Sequence, residues 1–213
     1  MTQDDTTVFV FTAILSSFYL SKSRANKIAG MLEARTRLEL REMTLEPGAL
    51  ECLRVNHVEM VSMSVSESCS VPLDTLRFAQ CTFKGTPVFD TRMLSIGGET
   101  NWEGALGIIE RCRGLETLYV HQFQLTEEFF SIFQRKKLST FIIGTREELR
   151  SIMPLVLPHP TLREIGTWQY YDVKRYTDIR IAQMLVLLRS DLMVDLIRYL
   201  FTFLPFETDL VCI

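Results

Sequence analysis

Leu73-Asp74-Thr75-Leu76-Arg77-Phe78-Ala79-Gln80-Cys81-Thr82-Phe83 and Leu115-Glu116-Thr117-Leu118-Tyr119-Val120-His121-Gln122-Phe123-Gln124-Leu125 share one spacing, with apolar residues at offsets 0, 3, 5, 8 and 10. The residues between them are mostly polar, as in a short strand with one buried and one wet face. Leu50-Leu53-Val55-Val58-Met60 and Val10-Ala13-Leu15-Phe18-Leu20 fill the same template, Thr91-Leu94-Ile96 fits it less well, and Leu138-Phe141-Ile143 and Leu162-Ile165 begin it. Composition alone would produce some of these. At 47% hydrophobic residues, five fixed positions are all apolar in roughly one window in forty, or about five windows by accident in this chain. The weight lies in the recurrence: Leu50 to Leu73 and Leu115 to Leu138 are each 23 residues, and Leu138 to Leu162 is one longer.

This template and period resemble the leucine-rich repeat, in which each unit supplies one strand and one return segment. The resemblance covers about residues 8 to 172. It implies an α/β solenoid with a parallel sheet on the concave face, helices on the convex face and recognition rather than catalysis as the task. The segments between strands carry the stripes this needs. Thr100 or Asn101 opens a helix through Cys112, with Trp102, Ala105, Leu106 and Ile109 on one face. Thr126, followed by Glu127 and Glu128, opens another with Phe129, Phe130 and Phe133, closed by Arg135, Lys136 and Lys137 in the order the helix dipole favours. Thr145 opens a third that runs to Pro154 and is ended by Pro154, Pro158 and Pro160, and Ser21 or Ser23 opens one to Ala34 with Ile28, Met31 and Leu32 inward. Leu38-Leu40-Met43-Leu45 fits a further copy that starts at Arg35, close before the copy at Leu50. That gap is too short for a helix, Pro47-Gly48 reads as a bare turn, and the number of repeats before residue 50 stays open.

Residues 1–176 form the solenoid with its N-terminal cap in this reading, and 177–213 a C-terminal pair of helices capping its end. The second of these resembles the opening of an F-box: Leu192, Asp195, Leu196, Ile197, Leu200, Phe201, Leu204 and Pro205 stand at that module's apolar and acidic positions. That resemblance implies docking onto a Skp1-like adaptor of a cullin ubiquitin ligase, with the chain as substrate receptor. A third reading makes the chain a structural subunit of a larger assembly, docking by the same helices.

The formal charge of −3 and the absence of a basic stripe argue against nucleic acid. No apolar run reaches the length of a membrane span. The five cysteines (Cys52, Cys69, Cys81, Cys112, Cys212) are odd in number and lack CxxC pairing, which points to reduced thiols and a cytoplasmic or nuclear protein. Asp4 and Asp5 ahead of Val8–Leu15 do not suit a secretion signal, so that stretch reads as the first strand. No GxSxG, HExxH, P-loop or GxGxxG occurs. No catalytic residue, metal ligand or cofactor is expected.

Function then falls on the wet residues of the strands: Arg37, Glu39 and Arg41; Cys52, Arg54 and Asn56; Thr75, Arg77 and Ala79; Thr117, Tyr119 and His121; Thr140 and Ile142; Glu164 and Trp168. His57 and His121 lie just beyond strands as surface contacts. Arginine and aromatic groups dominate interface hot spots, so Arg54, Asn56, His57, Arg77, Tyr119, His121, Gln122 and Trp168 form the candidate protein-binding set. Arg54 and Arg77, taken as equivalent positions one repeat apart, would sit about 5 Å apart. They then either favour an acidic protein partner or pair with Glu39, Glu51 or Asp74 on the same sheet.

Overall fold

Buried apolar pairs set two residues apart recur along the chain: Leu38 and Leu40, Val58 and Met60, Leu76 and Phe78, Leu94 and Ile96, Leu118 and Val120, Phe141 and Ile143. Each pair sits on a strand of a parallel sheet. The computed structural model describes residues 12–176, apart from 17, 33–35, 67, 86, 123 and 170–171. Its elements in order are β1 (Thr12–Ser16), β2 (Tyr19–Leu20), α1 (Lys22–Ala29), β3 (Arg37–Arg41), β4 (Thr44–Leu45), α2 (Ala49–Cys52), β5 (His57–Val61), β6 (Ser64–Val65), β7 (Cys69–Ala79), β8 (Thr82–Phe83), β9 (Phe89–Gly97), α3 (Trp102–Arg111), β10 (Thr117–Val120), α4 (Glu127–Arg135), β11 (Thr140–Ile143), α5 (Arg146–Val156), β12 (Glu164–Gln169) and β13 (Asp172–Tyr176). The chain is α/β, and it divides into two compact units, Met1–Leu115 and Glu116–Ile213.

In the first unit β1, β3, β5, β7 and β9 lie side by side in chain order, all parallel. Thr12, Arg37, His57, Thr75 and Met93 stand opposite one another along one row, and the step from strand to strand shortens along it. Thr75 and Met93 are only 18 residues apart in the chain. So short a step leaves no room for a helix as well as a strand. Short extended segments return the chain instead, and they pair in parallel too, β2 with β4 and β6 with β8. The first residue beyond a strand is left-handed in four of these repeats: Glu42, Ser62, Gln80 and Gly98 have φ between 48° and 66°. Side chains cost free energy in that region, and the recurrence shows that each turn is set by the ladder it continues. Glu42 N–H donates to the Val61 carbonyl, Ser62 to Ala79 and Gln80 to Gly97. Beneath the sheet Met43, Met63 and Cys81 form one buried row, and Phe78 meets Phe83 and Phe89 edge-on at 4.9 and 5.5 Å.

The α3 helix begins as expected at Asn101, but the Asn101 side chain does not cap it. Its Oδ1 accepts the Phe83 N–H at 2.7 Å, while Thr100 Oγ1 accepts the Cys81 N–H and donates to the Gly97 carbonyl. Both polar groups bind the previous turn down. Ala105, Leu106, Ile108 and Ile109 face the core.

In the second unit β10, β11 and β12 are parallel, and β13 closes the edge antiparallel to β12. The steps here are longer than that from Thr75 to Met93: Glu116 and Ser139, at the entrances to β10 and β11, are 23 residues apart, and Thr140 and Glu164, on β11 and β12, are 24 residues apart. Such steps hold helices. Thr126 Oγ1 caps α4 by accepting the Phe129 N–H, and Thr145 and Glu148 form a reciprocal capping box on α5. Phe129, Phe133 and Phe141 pack as the core of this unit, with Phe133 and Phe141 5.0 Å apart.

Four expectations change. Leu50-Leu53-Val55 is not a strand: residues 49–52 form a one-turn helix, and the strand begins at His57. The offsets 0, 3, 5 and 5, 8, 10 are the same pattern, so Val55, Val58 and Met60 satisfy the template in two phases five residues apart. The true phase is Val55-Val58-Met60-Met63-Val65, all buried. Second, α1 ends at Ala29, and Met31 is 84% exposed rather than inward. Third, α5 passes through Pro154 and runs to Val156. Fourth, Pro47-Gly48 leads into that one-turn helix rather than forming a bare turn. The C-terminal helices and the F-box-like segment, residues 177–213, lie outside the described residues.

Candidate functional site

The face of the first sheet that points away from the core carries three rows across β1, β3, β5, β7 and β9. They are Thr12-Arg37-His57-Thr75-Met93, Ile14-Glu39-Glu59-Arg77-Ser95 and Ser16-Arg41-Val61-Ala79-Gly97. Neighbours in a row are about 4.8 Å apart, which sets Glu39 beside Glu59 in the middle of the face. Two adjacent carboxylates repel unless cations intervene. Three arginines do so: Arg37 pairs with Glu59, Arg77 lies 3.9 Å from the same carboxylate, and Arg41 pairs with Glu39. The glutamate side chains are 11% and 13% exposed and the arginines 32–51%. The carboxylates therefore lie low and the guanidinium groups above them. Hydrogen bonding and charge from Glu39 raise the Arg41 pKa further, with smaller help from Glu59 and Glu42.

Arg54 and Asn56 belong to this face only in the wrong phase. Arg54 follows α2 with φ 56° and is exposed, and Asn56 is exposed just before β5. The residue equivalent to Arg77 is Glu59, so the expected pair of neighbouring arginines is an arginine–glutamate pair. Cys52 likewise sits on α2, away from the sheet. His57 opens β5 in the row of Arg37 and Thr75, half-buried; burial lowers its pKa, and the charge of Asp74 offsets this only in part.

The outer face of the second sheet has the rows Thr117-Thr140-Glu164 and Tyr119-Ile142-Gly166. Thr140 Oγ1 donates to Glu164 Oε2 at 3.3 Å. Tyr119 is half-buried, and His121 and Gln122 are exposed just beyond β10, where the spacing predicts them. Gly144 explains the placement of His121: a Cβ there would lie 2.6 Å from His121 Nδ1 and 2.9 Å from Glu148 Oε2, so the imidazole and the capping carboxylate both close over a bare backbone. Trp168 lies on β12 opposite Val173, and its side chain is outside the described residues. The candidate set thus separates into Arg77 and His57 on the first face, Tyr119, His121 and Gln122 on the second unit, and Arg54 and Asn56 on a turn.

Sequence reasoning passed over Glu59 and His159. His159 is fully buried; its Nε2–H donates to the Phe133 carbonyl at 3.0 Å, its Nδ1 accepts the Thr161 N–H, and burial lowers its pKa. No group of three or more His, Cys, Asp or Glu suited to a metal occurs among the described residues. Cys69, Cys81 and Cys112 are buried, and burial raises the thiol pKa of the first two. No helix among the described residues is long and apolar enough to cross a membrane.

Comparison with protein-family models, with curated proteins and with solved structures finds no match for this chain.

Proposed function

We propose that this chain is an irregular leucine-rich-repeat solenoid that binds a protein partner, without catalysis, through the outer face of its first sheet. The observation that carries the reading is the arginine–glutamate lattice on that face. Arg37, Arg41 and Arg77 stand above Glu39 and Glu59 on parallel strands that follow one another in chain order. A surface whose long side chains are already held in place gives up less conformational entropy on binding than a mobile one. The recurrent left-handed turn and the stacked rows of buried Met43, Met63 and Cys81 support the repeat assignment.

The partner surface that suits such a lattice carries both charges, with carboxylates opposite the more exposed Arg41 and Arg77. Buried cysteines without CxxC pairing suit a cytoplasmic or nuclear site of action. The test is affinity purification with mass spectrometry on the full chain, wild type against Arg41→Glu/Arg77→Glu. The variant loses a protein that the wild type captures while its thermal unfolding shifts by only a few degrees. An unchanged set of captured proteins, with the variant folded, overturns the proposal.

A further inference from the structure

Exposed apolar side chains gather at one end of the first sheet. Of the five large hydrophobic residues that stand exposed among the described residues, three, Ile14, Tyr19 and Met31, lie between β1 and the entrance of β3. β1 ends the row of parallel strands, and among the described residues it pairs with β3 alone. Its inner residues, Ala13 and Leu15, are only half-buried, although their register partners Leu38 and Leu40 are fully buried. The strand reads Thr12-Ala13-Ile14-Leu15-Ser16, without a charge or a proline. An edge strand is a template for further pairing, and sheets commonly guard such edges with charged side chains. β13, at the end of the second sheet, carries Asp172, Lys174 and Arg175 within five residues. β1 has no such guard.

We propose that β1 is a dimer edge, pairing antiparallel with β1 of a second copy of this chain about a two-fold axis at Ile14. The backbone faces the right way. Thr75 donates its N–H to the Asn56 carbonyl, toward the preceding strand. In a parallel ladder the residues of one row direct their N–H and C=O groups the same way. Thr12 shares the row of Thr75, so Thr12 and, by alternation, Ile14 and Ser16 direct theirs to the open edge. Self-pairing sets Ile14 opposite its own counterpart, Thr12 opposite Ser16 and Ala13 opposite Leu15. The strand reads alike in both directions, small polar residues at its ends and apolar ones between, which is what a two-fold contact requires. No charge meets a charge across it, and the half-buried Ala13 and Leu15 gain cover from the same residues of the other copy. A head-to-tail contact would instead bring β1 against charged β13 and grow without closing. The dimer lays the outward rows of two copies side by side on one continuous sheet.

The proposal stands whether or not the outer face of the first sheet binds another protein. Its test is sedimentation equilibrium of the full chain over a wide range of concentration. The wild type is expected to show a reversible monomer–dimer equilibrium, and Ile14→Lys and Ile14→Pro to stay monomeric at the same concentrations. The proline removes an N–H that crosses the edge and spares the ladder to β3, to which Ile14 directs no N–H. A wild type that is monomeric throughout, or variants that dimerise as it does, overturn the proposal. Amide hydrogen exchange of the wild type decides the matter where a variant fails to fold: exchange at Ile14 and Ser16 slows as concentration rises. Protection that is equal at all concentrations also overturns it, because the edge is then covered from within one chain.

Discussion

Replacing Glu59 with glutamine removes one charge and keeps the shape, and it tests the phase of the early repeats as well as the lattice. Arg77 lies 3.9 Å from the Glu59 carboxylate, and Arg37 pairs with the same group. At that distance two unit charges attract by about 1 kcal/mol in water and about 4 kcal/mol at an effective dielectric of ~20. The carboxylate is 13% exposed and its partners about a third exposed, so the net cost falls toward the lower figure, about 1–2 kcal/mol for Glu59→Gln. Urea unfolding at 0.1 and 1 M salt is the assay, run as double-mutant cycles with Arg37→Ala and with Arg54→Ala. Coupling of about 0.5–1.5 kcal/mol is expected between Glu59 and Arg37, most of it surviving in high salt because the carboxylate is sheltered. Arg54 should show none. Coupling to Arg54, or its absence for Arg37, would place Glu59 off this face and return the strand to the Leu50-Leu53-Val55 phase.

His159 is neutral in the fold because it donates from Nε2 and accepts at Nδ1, and burial holds its folded pKa below the unfolded value. The unfolded chain therefore takes up the proton first, and stability is full above about pH 6.5 and falls below it, by at most about 1.4 kcal/mol per pH unit. A His159→Gln variant should show a flatter decline between pH 6.5 and 5 in chemical denaturation; an unchanged slope refutes the assignment. Thr167 is fully buried in the register position of Ile143, and its hydroxyl has no hydrogen-bond partner among the described residues. Thr167→Val should raise stability by about 1 kcal/mol, read as a shift of a few degrees in thermal unfolding, whereas destabilisation would mean that the hydroxyl is satisfied.

The second unit is the more legible in sequence. Leu115, Leu138 and Leu162 keep a nearly constant step, each step holds a helix with its own cap, and the strand pairs Leu118/Val120 and Phe141/Ile143 follow directly. Between β3 and β9 the template recurs at shorter steps, with only the one-turn α2 to punctuate it, and its self-similarity under a five-residue shift leaves Val55, Val58 and Met60 ambiguous. Only turn geometry resolves this. The left-handed residue falls two places after Leu40, Met60, Phe78 and Ile96, but in three of the four cases it is Glu, Ser or Gln rather than a glycine that sequence could flag. The same slip carries Arg54 onto the candidate face and leaves Glu59 off it, replacing an acid by a base in the charge balance of that surface. His159 gives no sequence signal because its partners are backbone groups, carbonyl and N–H, which any residue type supplies.

The return segments take two forms. Between the end of β7 at Ala79 and the start of β9 at Phe89 the chain has too few residues for a helix as well as two turns, so it lies extended, and extended segments gain most by pairing with the next copy, as β6 does with β8. Adding five or six residues admits two or more helical turns, which bury a phenylalanine face instead of a strand edge, as α4 does with Phe129 and Phe133. The α3 helix still uses Asn101 and Thr100 to bind the preceding extended turn at Phe83 and Cys81, and the boundary at Leu115 comes three residues after its C-cap at Cys112. Where the return segment changes from strand to helix, the contacts that tie one repeat to the next change in kind. The extended and the helical return are two solutions to one problem, covering the inner side of a parallel strand with the residues available before the next strand begins.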